Sequence, residues 1–323
     1  MKYLVQVCLF FACLFAMHSA FAQAMNKPGR KQQGFDVVVF GDMPYSIPAD
    51  YPRFENLLNY VNKQNQAFNV FVGDIKSSSV ACKDEVYQKV YDYFNRSEKP
   101  LIYTPGDNEW TDCQKPAQKF DRNERLAFLR SLFFKDSRSL GKERMKLQSQ
   151  SANLLYATYV ENMRWSYQNV LFATIHLVGS NNNLLPADPN GNAEFKERCK
   201  ADSFWLDETF REAQKANSNG IVLFTHADMF TPEEASDGFN AILAQLWSLS
   251  KACGKPVLLV NGDSHKFLVD KPFFADKEKK STLLNFTRLQ VFGEVDMDAV
   301  VIHADPADPS LFTIRQLIVP GNQ

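Results

Sequence analysis

Five times along this chain a short apolar run stops at a small residue and an acid, or at an imidazole. The segments are Gly41-Asp42-Met43-Pro44-Tyr45, Gly73-Asp74-Ile75-Lys76, Gly106-Asp107-Asn108-Glu109, Phe224-Thr225-His226 and Gly262-Asp263-Ser264-His265. Runs of four to six residues rich in Val, Leu, Ile and Phe predict buried strands. Each of the five therefore puts a carboxylate, amide or imidazole where a buried strand opens into a loop. In open α/β sheets ligands collect outside the carboxyl ends of the strands, so the five segments belong together in space.

The intervals between them carry helical spacing. The first strand is Phe35 to Phe40, and apolar residues at Phe54, Leu57, Leu58 and Val61 predict a helix within 51–66. Strand 68–72, a helix over about 83–95, strand 101–104 and the Pro105-Gly106 turn repeat the unit. A charged stretch with Leu126, Leu129, Leu132 and Phe133 reads as a helical insertion around 115–150, with a solvated connector as the other reading. Strands are then expected at 154–160, 170–178, 221–224 and 257–260, and helices at 195–217 and 235–252. The tail, with strands at 283–292, 299–303 and 311–319, looks antiparallel and helix-free. Alternating strands and helices followed by strands alone predict an α/β fold, a mixed-sheet α/β/β/α sandwich over 35–320.

The N-terminus has the form of an export signal. Lys2 precedes an almost wholly apolar run from Tyr3 to Met17, and Ala20-Phe21-Ala22 has the small-x-small form of a cleavage site. The run is shorter than the roughly 20 residues of a spanning helix. A signal peptide over 1–22, a polar linker over 23–34 and a periplasmic or secreted product are expected. Processing would leave Cys82, Cys113, Cys199 and Cys253, which allow three pairings. Cys82 with Cys113, and Cys199 with Cys253, is the expected arrangement, against buried free thiols. Net charge is −1 with basic residues scattered, which predicts no nucleic-acid footprint.

Asp42, Asp74, Asp107, Asn108, His226, Asp263 and His265 are candidate ligands that combine hard oxygen with imidazole, a set suited to iron, zinc or manganese. So many groups exceed what one catalytic ion takes from protein, which implies two ions and a phosphoryl displacement between them. In order and spacing the five segments resemble the calcineurin-like metallophosphoesterase superfamily, including purple acid phosphatases. The resemblance implies that Asp42 and His265 hold the first ion, Asp74 bridges, and His226 and Asp263 help hold the second. It implies attack on phosphorus by a metal-bound hydroxide.

The chain departs from the family pattern at three places. Pro44 stands where the first motif has a histidine. Asp107 takes the place of the metal-binding asparagine, and Asn108 that of the histidine that holds phosphate or protonates the leaving group. Asp263 replaces the first histidine of Gly-His-x-His. Ser77 occupies the position of the purple acid phosphatase tyrosine, while Tyr45 stands three residues after Asp42, with direct ligation or a supporting contact both open. Glu109 is then the candidate proton donor, Lys76 the candidate phosphate contact, and Trp110 the expected wall of the pocket.

Other polar residues have plainer readings. His176 reads as a core histidine, and Gly179-Ser180-Asn181-Asn182 as a turn that could also meet substrate, while His303, just before Asp305-Pro306, has a supporting role or none equally open. The functional expectation is an exported metal-dependent phosphoesterase acting on a phosphate mono- or diester at a binuclear centre of Mn, Fe or Zn. The alternative is an exported binding protein that keeps the fold and has lost the chemistry. A serine hydrolase is disfavoured, since no Gly-x-Ser-x-Gly elbow is present.

Overall fold

In a strand buried on both faces, successive side chains enter different cores, and this period-two rule organises the whole molecule. The computed structural model describes residues 33–115, 119–185, 187, 191–231, 237–276 and 278–322. Contacts divide the chain into Met1–Gln33 and Gly34–Gln323, and every element below belongs to the second unit. The expected signal peptide, and all but the last two residues of the linker, lie outside the described residues.

One sheet holds β1 (Phe35–Phe40), β2 (Phe68–Val72) and β3 (Leu101–Thr104) in parallel, with β11 (Ala299–Ala304) antiparallel to β1 and β12 (Phe312–Leu317) beyond it. The other is ordered β4 (Gln148–Ser149), β5 (Met163–Tyr167), β6 (Val170–Thr174), β7 (Gly220–Phe224), β8 (Val257–Asn261), β10 (Phe286–Gln290) and β9 (Leu268–Asp270). Its central strands β6, β7, β8 and β10 are parallel.

Val170 and Phe172, Val222 and Phe224, and Leu258 and Val260 join the central core between the sheets. Their neighbours Leu171, Ala173, Ile221, Leu223, Val257 and Leu259 form an outer core against α4 (Gly191–Lys215) and α5 (Asn240–Cys253). On the first sheet, Phe68 packs edge-on to Trp165 and Phe172 across the sandwich, while Phe71 points the other way to Phe54 and Phe94. Those two belong to α1 (Tyr51–Val61) and α2 (Asp84–Phe94), and α3 (Arg122–Phe133) completes the layer through Phe133 on Tyr103. The result is the four-layer α/β/β/α sandwich.

Two expectations are corrected. Segment 154–160 is a short 3-10 turn followed by turns, with Leu154 and Leu155 exposed, because its apolar residues have no sheet neighbour to pair with. The strand of that region is β5, whose Arg164 and Ser166 hid its pattern. The tail is not wholly antiparallel, since β10 crosses back to pair in parallel with β8. Among the described residues no helix is long and apolar enough to cross a membrane.

Candidate metal centre

All five segments open at the carboxyl ends of parallel strands, and the sandwich brings those ends to one place. Asp42, Asp74 and Asp263 each lie two residues past β1, β2 and β8, and His226 two past β7. Asp42, Asp74, Asp263 and His265 take φ of 56°, 60°, 75° and 59°, the left-handed region that L-residues seldom enter and that Asp and His tolerate best. Four such residues around one point are stored strain of the kind that clusters at functional sites.

Their donor atoms form two triads. Asp42, Asp74 and His265 bring donors within 4.8 Å of one another, and so do Asp74, Asp107 and His226. Asp74 belongs to both, the position expected of a bridge. His226 Nε2 lies 3.0 Å from Asp107 Oδ1, 3.4 Å from Asp74 Oδ1 and 3.7 Å from Asp263 Oδ1. On the other side, His265 Nε2 lies 3.6 Å from Asp42 Oδ1 and 3.1 Å from the Tyr45 hydroxyl.

Backbone and amide groups aim these side chains. His226 Nδ1 donates to the Val72 carbonyl at 2.9 Å, which leaves Nε2 as the ligand nitrogen. The Asp263 amide donates to Asp42 Oδ1 at 3.0 Å, and the Asn108 amide to Asp74 Oδ1 at 3.0 Å. Asn108 Nδ2 donates to Asp74 Oδ2 and, at 3.0 Å, to the Tyr45 oxygen, which itself meets Asp74 Oδ2. Gly106 is needed for close approach: a Cβ there would lie 2.2 Å from Asp74 Oδ1.

Electrostatics show what the cluster lacks. Burial pushes the Asp42 and Asp74 carboxyls well above the usual carboxylate range. Burial opposes charge on His226, yet Asp74, the hydrogen bond to Asp107, Asp263 and Asp42 outweigh it and hold the ring well above the usual imidazole range. Asp107 is drawn below its usual range because the His226 hydrogen bond and charge overcome burial. Burial, with Asp74 beside it, raises the Tyr45 phenol. The carboxylates around His226 thus call for positive charge at this point. Asp42 Oδ2 is buried without a hydrogen-bond donor. An orphaned carboxylate oxygen among four acids and two imidazoles fits a pair of cations.

Several sequence expectations need revision here. Glu109 is wholly buried, and its Oε1 accepts from the Asp74 and Gly106 amides and the Tyr103 hydroxyl, the contacts of a brace rather than of a proton donor. Lys76 is also wholly buried, with Nζ on the Ser77 carbonyl at 3.2 Å; burial lowers its pKa, and it serves as a counter-charge to Glu109, Asp74, Asp112 and Asp107 rather than as a surface contact for phosphate. Trp110 is not a pocket wall: it packs in a small core with Leu126 and Val178, against His176 and under Arg198. Cys82 and Cys113 form a disulfide that ties the loops after β2 and β3. Cys199 and Cys253 are free thiols. Cys253 shares a cleft with Phe210 and Gln214, about three turns along α4 from Cys199, roughly 16 Å away and beyond disulfide reach.

His176 is buried as expected, with Nδ1 on Glu161 at 2.7 Å. The Gly179–Asn182 segment does more than turn. Ser180, Asn181, Asn182 and Asn183 all have φ between 52° and 64°, and Ser180 Oγ reaches Asp107 Oδ2 at 2.9 Å and Asp112 Oδ1 at 3.1 Å. Glu294, four residues past β10, was not foreseen: its Oε2 lies 2.5 Å from His265 Nδ1. A lone glutamate after a strand carries no motif by which it could have been found.

No family model matches the sequence, and no curated protein matches it. Solved structures do. A dimetal phosphatase from Danio rerio aligns with TM-score 0.53 at 11% identity, over 88% of this chain and 99% of its own. The purple acid phosphatase PPD1 of yellow lupin seeds aligns with TM-score 0.52 at 13% identity, over 90% of this chain and 52% of its own. GAP50, the anchor in the inner membrane complex of Plasmodium, aligns with TM-score 0.50 at 10% identity, over 89% and 90%. Layer order, strand-end placement and these alignments agree: the chain has the calcineurin-like metallophosphoesterase fold.

Proposed function

We propose that the chain is an exported phosphoesterase that hydrolyses a phosphate mono- or diester at a two-ion centre. The observation that carries this is the pair of donor triads sharing Asp74, with Asp42 Oδ2 buried and without a hydrogen-bond partner among the described residues. Asp42, Asp74 and His265 would hold one ion, with Tyr45 at its edge; Asp74, Asp107, His226 and Asp263 would hold the other. Bound there, the ions would supply Lewis acidity toward a phosphoryl oxygen and a water of lowered pKa. The chain's own part is orientation. Val72 and Asn108 aim His226 and Asp74, and the disulfide holds two of the loops in place. His265 and Asp263, with side chains 25% and 18% exposed, are the members that face solvent and so mark the side from which a phosphate enters.

Asp74→Asn tests the reading. With the bridge reduced to a neutral donor, hydrolysis of aryl phosphates should fall roughly 10³-fold or more, since two-ion stabilisation is worth several kcal/mol. An unchanged rate in purified protein would sink the assignment.

A second reading is an exported binding protein without turnover. It is favoured by the Asn108 amide, which is committed to Asp74 and Tyr45 and is not free to hold a phosphate. Metal analysis decides between them: two ions per chain with turnover support catalysis, whereas fewer than one ion after loading, with no turnover, supports binding.

A further inference from the structure

We propose that Glu294 is a positioning residue for His265 and makes good the histidine missing at Pro44; this rests on the two-ion reading above. The two imidazoles of the centre are oriented by different partners. His226 Nδ1 meets a backbone carbonyl, that of Val72. His265 Nδ1 instead lies in a close ion-pair contact, 2.5 Å, with a carboxylate oxygen, Glu294 Oε2, which has no other partner among the described residues. A carboxylate on the far nitrogen of a ligand histidine holds its tautomer, turns the ring and makes Nε2 a stronger donor. That Nε2 faces Asp42 Oδ1 and the Tyr45 hydroxyl, the first-ion side.

The loop bearing Glu294 is shaped for this contact. Gly293 lies so close to the ring that a Cβ would come within 2.5 Å of His265 Cβ, so a larger residue would push Glu294 away. The Met297 amide closes the turn on the Gly293 carbonyl at 2.9 Å. Arg53 on α1 then straps it, donating to the Glu294 carbonyl at 3.1 Å and the Val295 carbonyl at 2.7 Å. A loop after a sixth strand end, β10, is thereby brought to the first-ion side, where the first motif contributes Asp42 and Tyr45 but no histidine. A more strongly donating His265 offsets the ligand that Pro44 removes.

The test compares wild type with Glu294→Ala and Glu294→Gln in two measurements. In metal-free protein at pH 8, nitrogen NMR of His265 should show the Nδ1–H tautomer in wild type and in Glu294→Gln, whose amide oxygen still accepts, but a mixture in Glu294→Ala. In Mn²⁺ titration calorimetry, one of two ions should bind about 10- to 100-fold more weakly in Glu294→Ala, less so in Glu294→Gln, with the other ion unchanged. Unchanged tautomer and unchanged affinities in Glu294→Ala overturn the inference while leaving the two-ion reading intact. A tautomer shift in a chain that binds no Mn²⁺ at all supports Glu294 as the positioning residue and removes the two-ion reading.

Discussion

The two halves of the centre are held by different parts of the fold. The half around His226 is buried: the ring has no exposed surface, its Nδ1 rests on the β2 backbone, and its acids close over it. The half around His265 is a quarter exposed and is held by side chains, Glu294 behind and Tyr45 in front. A backbone partner cannot be mutated away, whereas a side-chain partner can. The departures from the family pattern that the chain resembles fall in both halves: Pro44 and Tyr45 on the His265 side, Asp107 and Asp263 on the His226 side.

Removing the histidines one at a time should break this symmetry most visibly. In metal-free protein His226→Ala leaves Asp42, Asp74 and Asp107 buried around an absent counter-charge, and breaking a buried pair costs about 3–5 kcal/mol. His265→Ala takes away a partly exposed group and should cost about 1 kcal/mol or less. Urea unfolding of the two variants measures the difference; equal losses would mean the halves are not distinct. Gly106→Ala acts on the shared bridge. Crowding Asp74 should cost about 1–3 kcal/mol and weaken both ions together, so loss of one ion alone in a metal titration would show that Asp74 is not shared.

The last prediction probes what supports the buried half. Arg198 donates to the His176 and Asn182 carbonyls and so fixes the left-handed turn that carries Ser180 to Asp107. Asp202 lies 3.6 Å from that guanidinium, and burial pushes its carboxyl up to about 7 from the usual 3.8. Between those values the folded state holds the proton that the unfolded state releases. Its contribution to stability is therefore present at low pH and lost as pH rises from about 4 to about 7, by at most about 1.4 kcal/mol per pH unit. Asp202→Asn should flatten that slope in denaturation midpoints taken at pH 5 and pH 7.5. An unaltered slope would detach this network from the pH response.

Much of this was legible because it is local. Runs such as Phe35–Phe40 and Val257–Asn261 end in residues suited to left-handed turns, and that pattern picked out Asp42, Asp74, Asp107, Asn108, His226, Asp263 and His265, whose loops the fold brings together. The disulfide between Cys82 and Cys113 followed from two cysteines just past neighbouring strand ends. At the site, the misses are matters of direction or distance. Glu109, Trp110 and Lys76 follow the ligands closely in sequence, but their side chains run into the interior, where Tyr103, Val178 and Ser77 meet them. Cys199 and Cys253 sit on adjacent helices at different heights, which spacing along the chain does not reveal.

The sequence by itself determined which residues stop each buried strand, because hydrophobic period and turn chemistry act within a few residues. Only the tertiary structure decided which stops face one another. It made Asp74 common to two triads, set Glu294 behind His265, and separated His226 from solvent. Those outcomes depend on sheet order and on the packing of loops distant in sequence, where a contact such as His265 with Glu294 has no periodicity to announce it.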